Sequence, residues 1–118
     1  MDKLSTTSLY RCLADPQRLR ILHLLQGGCL CVCHLQEILE EKQATVSKHL
    51  QYMRNLGLVT ARRQGKWMYY SLSTPVHPVL QVNLTYLDGF GSDFAVFEAD
   101  AERRRLIAAH SNPETSAC

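Results

Sequence analysis

Apolar residues recur at three- and four-residue intervals through most of this chain, and the interval switches to a strand-like pattern between residues 58 and 72. The spacing predicts a first helix over residues 5–14, with Leu9, Leu13 and Ala14 on one side. Asp15-Pro16 then reads as a helix start, a capping carboxylate followed by proline at the first helical position. The second helix carries Leu19, Ile21, Leu22 and Leu25 and ends at Gly27-Gly28. A short third helix, starting at Cys31 or Cys33 and reaching Glu40, buries Leu35, Ile38 and Leu39. In a fourth, over residues 43–56, Val46, Leu50, Met53 and Gly57 recur as the buried stripe, and Gly57 ends the helix. Residues 58–62 and 67–72 are strand-like, joined by Arg63-Gln64-Gly65-Lys66 with Gly65 free to take a positive φ. Past Pro75 and Pro78, Val79 to Leu87 reads as a fifth helix, and Ser92-Asp93 caps a final helix reaching about His110.

Two helices joined by a tight turn and followed by a hairpin give a mainly α (α+β) winged helix-turn-helix. Ala44, Thr45, Lys48, Gln51, Tyr52 and Asn55 fall on the polar side of the fourth helix. Charge sharpens this picture. From Lys42 to Lys66 there are six basic residues and no acid, whereas Trp67 to Glu102 holds five acids and no base. A basic block on a helix–hairpin unit is an electrostatic footprint for phosphate. Gln43, Thr45, Ser47, Lys48 and His49 offer the amide, hydroxyl and cationic groups that read base edges, with His49 at the border of the apolar stripe. Arg62, Arg63 and Lys66 are placed to meet phosphate or the minor groove from the wing. Trp67, Tyr69 and Tyr70 read as strand-packing residues. The apolar Phe94, Phe97, Ala101 and Leu106 exceed what a small winged helix buries alone. They are therefore assigned, with the first helix, to a homodimer interface. Such a dimer requires two half-sites about one helical turn apart, an imperfect palindrome.

At 118 residues the chain is read as one domain over 1–110, followed by a flexible polar tail at 111–118 that ends in Cys118. No apolar run reaches the roughly 18 residues of a membrane span, and the N-terminus lacks the apolar core of a secretory signal. Cytosol is the expected location. In that reducing setting the five cysteines are expected to be free thiols. Three of them crowd into Cys29-Leu30-Cys31-Val32-Cys33-His34, just before the helix-turn-helix. Thiolates select soft ions, and a thiol near a helix N-terminus is favoured as the thiolate. Cys29, Cys31 and Cys33 share a side of an extended segment, but in a helix Cys31 points away from the other two. Binding an ion with all three thus requires the start of the third helix to unwind. Cys12 reads as a core residue, with a fourth-ligand role from the other subunit as the competing reading. His34 reads as a surface or capping residue. His77 and His110 with Asp88 or Asp100 lack a metal-ligand spacing, so no site is expected there. No Cys-x-x-C in a βαβ setting and no nucleophile–base–orienter set can be placed, which argues against an enzyme.

Five fragments in order carry a resemblance over residues 9–87. They are Leu13-Ala14-Asp15-Pro16-Gln17-Arg18-Leu19-Arg20-Ile21-Leu22, Leu30-Cys31-Val32-Cys33, Val46-Ser47-Lys48-His49-Leu50, Leu56-Gly57-Leu58-Val59 and Arg63-Gln64-Gly65-Lys66-Trp67-Met68-Tyr69-Tyr70-Ser71-Leu72. The chain resembles the ArsR/SmtB family of metal- and arsenic-sensing repressors. The resemblance implies a homodimeric repressor of a metalloid-resistance operon, released from operator DNA when As(III) or Sb(III) binds. Cys31 and Cys33 match the cysteine pair of arsenic-responsive members. Those members often carry a third cysteine a turn later, where Gln36 stands here. Cys29, Cys118 and an exogenous thiol remain as sources of the third ligand. A Cd(II)-, Pb(II)- or Zn(II)-sensing repressor and a thiol redox switch are the alternatives.

Overall fold

The computed structural model describes residues 4–91 and 93–110, with side chains through Ile107. The expected tail, Cys118 and Ser92 of the expected cap lie outside the described residues. Among them the chain forms α1 (Thr6–Leu13), α2 (Pro16–Leu25), β1 (Leu30–Cys31), α3 (Val32–Leu39), α4 (Gln43–Asn55), β2 (Val59–Gln64), β3 (Trp67–Leu72), α5 (Pro78–Leu87) and α6 (Phe94–His110).

Helix starts follow the local chemistry. Ser5 and Ser8 close a capping box on α1. Asp15 accepts from the N–H groups of Gln17 and Arg18, at 2.9 and 3.1 Å, and Pro16 opens α2. Burial pushes the Asp15 carboxyl up, but these N–H donors and the charges of His49 and Arg18 outweigh it and hold it below its ordinary value. Its contribution is therefore full above the ordinary carboxylate pKa and is lost as pH falls through the lowered one. We expect Asp15→Ala to cost about 1 kcal/mol in urea denaturation, with Asp15→Asn costing little because the amide oxygen still caps. An equal loss in both variants at neutral pH would contradict the capping account.

Leu9, Ile21, Leu22, Leu35, Val46, Leu50, Met53 and Leu84 are sealed in one core shared by α1–α5. The buried stripe of α4 is Val46, Leu50 and Met53, but Gly57, expected to continue it, is exposed because the chain turns away there at φ +80°. The sheet has the order β1-β3-β2, all antiparallel. The two-residue β1 was not expected from the pattern. It exists because Leu30 and Cys31 pair with Tyr70 and Tyr69 of the hairpin, a contact no local periodicity reveals. The hairpin is also longer than expected. Arg63 and Gln64 belong to β2, and only Gly65-Lys66 form the turn. Gly65 has φ +63° while Lys66 is not in the positive region, the pattern of a II′ turn.

The final helix departs from expectation in one respect. Phe97, assigned to a dimer interface, is buried within the protomer, its ring 4.9 Å from that of His23. Around it Asp100, 2% exposed, receives two 2.8 Å bonds from Arg20. The Asp100 carboxylate holds Arg20 above its ordinary range, against the opposing effect of burial. Arg103 donates to the Ile38 carbonyl and to Glu40, and Arg104 to the carbonyl of Gly27 at 3.0 Å. Arg104 is pushed down by its own burial there. Thus α6 straps the ends of α2 and α3 of its own chain. Tyr10, Val82, Tyr86, Phe90, Val96 and Leu106 remain exposed, and α1 and α5 frame a groove of about 310 Å³ lined by Tyr10, Leu13, Leu19 and Tyr86.

Candidate thiol switch and nucleic-acid interface

The cysteine segment sits where a strand turns into a helix. Cys31 ends β1 and caps α3: its backbone is extended (φ −69°, ψ 148°) and its sulfur accepts from the Cys33 N–H at 3.2 Å. Cys31 is buried and Cys33 half-buried, with Cα atoms 5.2 Å apart and the two sulfurs paired as a disulfide. Cys29 precedes β1, and the pairing of Cys31 with Cys33 departs from the expectation of free thiols at those two positions. Cys12 is the free cysteine among the described residues, fully buried in the core, where loss of solvation pushes its thiol up. That environment matches the core reading of Cys12.

The structure brings together two of the three expected ligands. Among the described residues no group of three or more His, Cys, Asp or Glu side chains is set to hold a metal ion. The reason is local. Helix α3 has already begun at Val32, so Cys33 lies in its first turn while Cys29 stays in the preceding segment. The reduced Cys31–Cys33 pair offers two thiolates to a soft ion. His34 is half-buried and pushed down by burial, which keeps its imidazole neutral. Of the histidines and acids set aside as lacking a metal-ligand spacing, the His110 side chain lies outside those described, and the rest make structural bonds. His77 caps α5, His23 bonds Asp88 at 2.9 Å, and Asp100 holds Arg20.

From the thiols α3 leads directly to the turn. Glu40 takes a left-handed conformation (φ 54°), and Glu41 and Lys42 complete the link to α4. Two further contacts tie α2 to this unit: Gln17 to Glu41 at 2.9 Å, and Arg18 over the Tyr52 ring at 4.2 Å. Gln43, Ser47 and Lys48 are exposed on α4, and Thr45 and His49 are half-buried. Lys42 caps α4 without a side-chain bond to the helix.

On the wing, Arg62, Arg63 and Lys66 are exposed as expected. Tyr69 and Tyr70 are buried at 4% and 8%, in keeping with strand packing. Trp67 is not: it is 45% exposed at the hairpin tip, with the Lys66 ammonium 5.3 Å from its ring centroid. Strand propensity misled here because the tip of a hairpin has no core beneath it.

Comparisons with known proteins agree with this geometry. The family described as bacterial regulatory protein, arsR family, matches residues 15–61, from the α2 cap into β2. The arsenical resistance operon repressor of Escherichia coli (strain K12) is 45% identical over 74 residues, 62% of this chain and 63% of that protein. A cadmium resistance transcriptional regulatory protein CadC homolog of Staphylococcus aureus is 39% identical over 72 residues, 60% of each. The chain thus spans about three fifths of the length of these two relatives. The crystal structure of the AntR antimony-specific transcriptional repressor superposes with a TM-score of 0.59 at 32% identity, covering 67% of this chain and 69% of that one. With its winged helix-turn-helix and this degree of identity, the chain belongs to the ArsR family of bacterial regulatory proteins.

Proposed function

We propose that this protein is a transcriptional repressor of a metalloid-resistance operon, released from its operator when As(III) or Sb(III) binds the thiolates of Cys31 and Cys33 with a third sulfur. Cys29, Cys118 and an exogenous thiol are the sources open for that sulfur. The observation that carries the reading is the position of the Cys31–Cys33 pair, at the N-cap of the first helix of the helix-turn-helix. The kinship to arsenical and antimony repressors supports it. Regulators rather than enzymes surround this chain among its kin.

In this reading residues 1–110 form one domain and two copies pair through the exposed apolar face of α1, α5 and α6. Gln43, Thr45, Ser47, Lys48 and His49 then enter successive major grooves of an imperfect palindrome, and Arg62, Arg63 and Lys66 approach phosphate beside them. Ion capture pulls the N-terminus of α3 out of helical form. Through the short Glu40–Lys42 turn this displaces α4. By linkage, an ion that prefers the free dimer lowers DNA affinity by the same factor.

The test is anisotropy of a labelled duplex from the protein's own promoter, under reductant, titrated separately with arsenite, antimonite, cadmium and zinc. We expect release at near-stoichiometric arsenite or antimonite. Release by cadmium alone would replace the metalloid site with a four-thiolate one, the alternative that the CadC homolog favours. The Cys31–Cys33 disulfide favours a second reading, a thiol redox switch. Indifference to all four ions, with release by peroxide reversed by reductant, would establish it.

A further inference from the structure

The hairpin register sorts the wing into two faces. Val59, Ala61, Arg63, Met68, Tyr70 and Leu72 share one face, and Thr60, Arg62, Gln64, Trp67, Tyr69 and Ser71 the other, which is covered at Tyr69 and open toward the tip at Arg62, Gln64 and Trp67. Strands of six residues carry this second face about 20 Å from root to tip. At the tip stands the largest side chain in the protein, nearly half exposed, with a cation over its ring. An exposed tryptophan amid arginine, lysine and glutamine is the group set that minor-groove readers use: cations for phosphate, an amide for base edges, an apolar surface against the groove wall.

We propose that Trp67 is a direct DNA contact, its indole packing against the sugar wall of the minor groove while Lys66 meets the adjacent phosphate. This deepens the operator-binding reading and rests on it. Duplex DNA is favoured over a protein partner as the occupant because the tip that carries the ring is basic and free of acids. Lys66 stands over the ring, Arg62 shares its strand face, and no acid lies between Lys42 and Lys66. The contact supplies affinity without counterion release. It therefore adds to binding but not to the salt dependence, which the charged residues set.

Trp67 is the chain's sole tryptophan, so its own fluorescence reads the contact. Operator binding is followed by anisotropy of the labelled promoter duplex, and acrylamide quenching of Trp67 is measured with and without saturating duplex. The quenching constant is expected to fall at least about twofold on binding, in line with a half-exposed ring being covered. Trp67→Ala should weaken the operator about tenfold, within the range of an aromatic–nucleic-acid contact. Its slope of log affinity against log salt should be unchanged and its thermal unfolding unaltered. Trp67→Phe should recover most of the affinity. Lys66→Ala should instead lower the salt slope by about one for each phosphate it leaves unneutralised. Bound duplex with an unchanged quenching constant would overturn the proposal and leave the repressor reading intact. A low quenching constant before DNA is added would also overturn it, because another protein surface then covers the ring. Failure to bind the duplex at all would overturn both.

Discussion

Cys31→Ser and Cys33→Ser are expected to bind operator as the unaltered protein does, within about twofold, and to stay bound at arsenite concentrations that release it. Each removes one of the two sulfurs that the strand–helix junction holds together. A soft ion left with a hydroxyl in place of a thiolate loses a ligand it strongly prefers. If coupling between ion and operator is about 3 kcal/mol, the unaltered protein's operator affinity falls by about a hundredfold or more, and the variants lose none of it. Serine is a sound replacement at position 31 for a separate reason. The sulfur there accepts the Cys33 N–H as helix cap, and a hydroxyl is the better acceptor for that role. Loss of response therefore cannot be put down to loss of α3. Anisotropy under reductant, with circular dichroism to verify the fold, measures both halves of the expectation. A variant that still dissociates at the ordinary arsenite concentration would remove its cysteine from the site.

The largest stability effect is expected at Asp100. Its carboxylate is 2% exposed, takes both 2.8 Å bonds from Arg20 eighty residues away, and sits beside the buried Phe97. Asp100→Ala leaves the half-buried Arg20 guanidinium without its partner and a gap under α6. Removing one member of a buried pair costs about 3 kcal/mol. For a domain of this size that lowers the melting temperature by about 10 °C. Arg103→Ala, which removes a largely exposed partner of Glu40, should cost far less, since exposed ion pairs contribute little. Thermal unfolding followed by circular dichroism separates the two. Equal, small shifts would mean that α6 is not anchored through Asp100.

Much of the architecture was legible along the chain because local chemistry decides it. The Asp15-Pro16 start, the Val46, Leu50 and Met53 positions, the helix end at Gly57 and the positive φ of Gly65 all stand as the pattern implies. What was not legible depends on residues far apart. Strand β1 exists only through Tyr69 and Tyr70. Docking of α6 depends on Arg20, His23 and the carbonyls around Gly27 and Gly28, so neither its apolar residues nor its acids show locally which way they face. For the site, the cluster of thiols was evident, but its division was not. Where the helix begins decides which sulfurs meet, and that start is set by Cys31 belonging to a strand.

That double membership has a mechanical consequence. Cys31 is at once the ladder partner of Tyr69 in the wing strand and the cap of the helix that leads to α4. A pull on this single residue is transmitted along two linkages, one through α3 to α4 and one through β3 to the hairpin. The junction works as a bell-crank with two output arms. A ligand that shifts it by the length of one bond has no need to reach both DNA-facing elements separately, and neither arm can hold its grip while the other lets go.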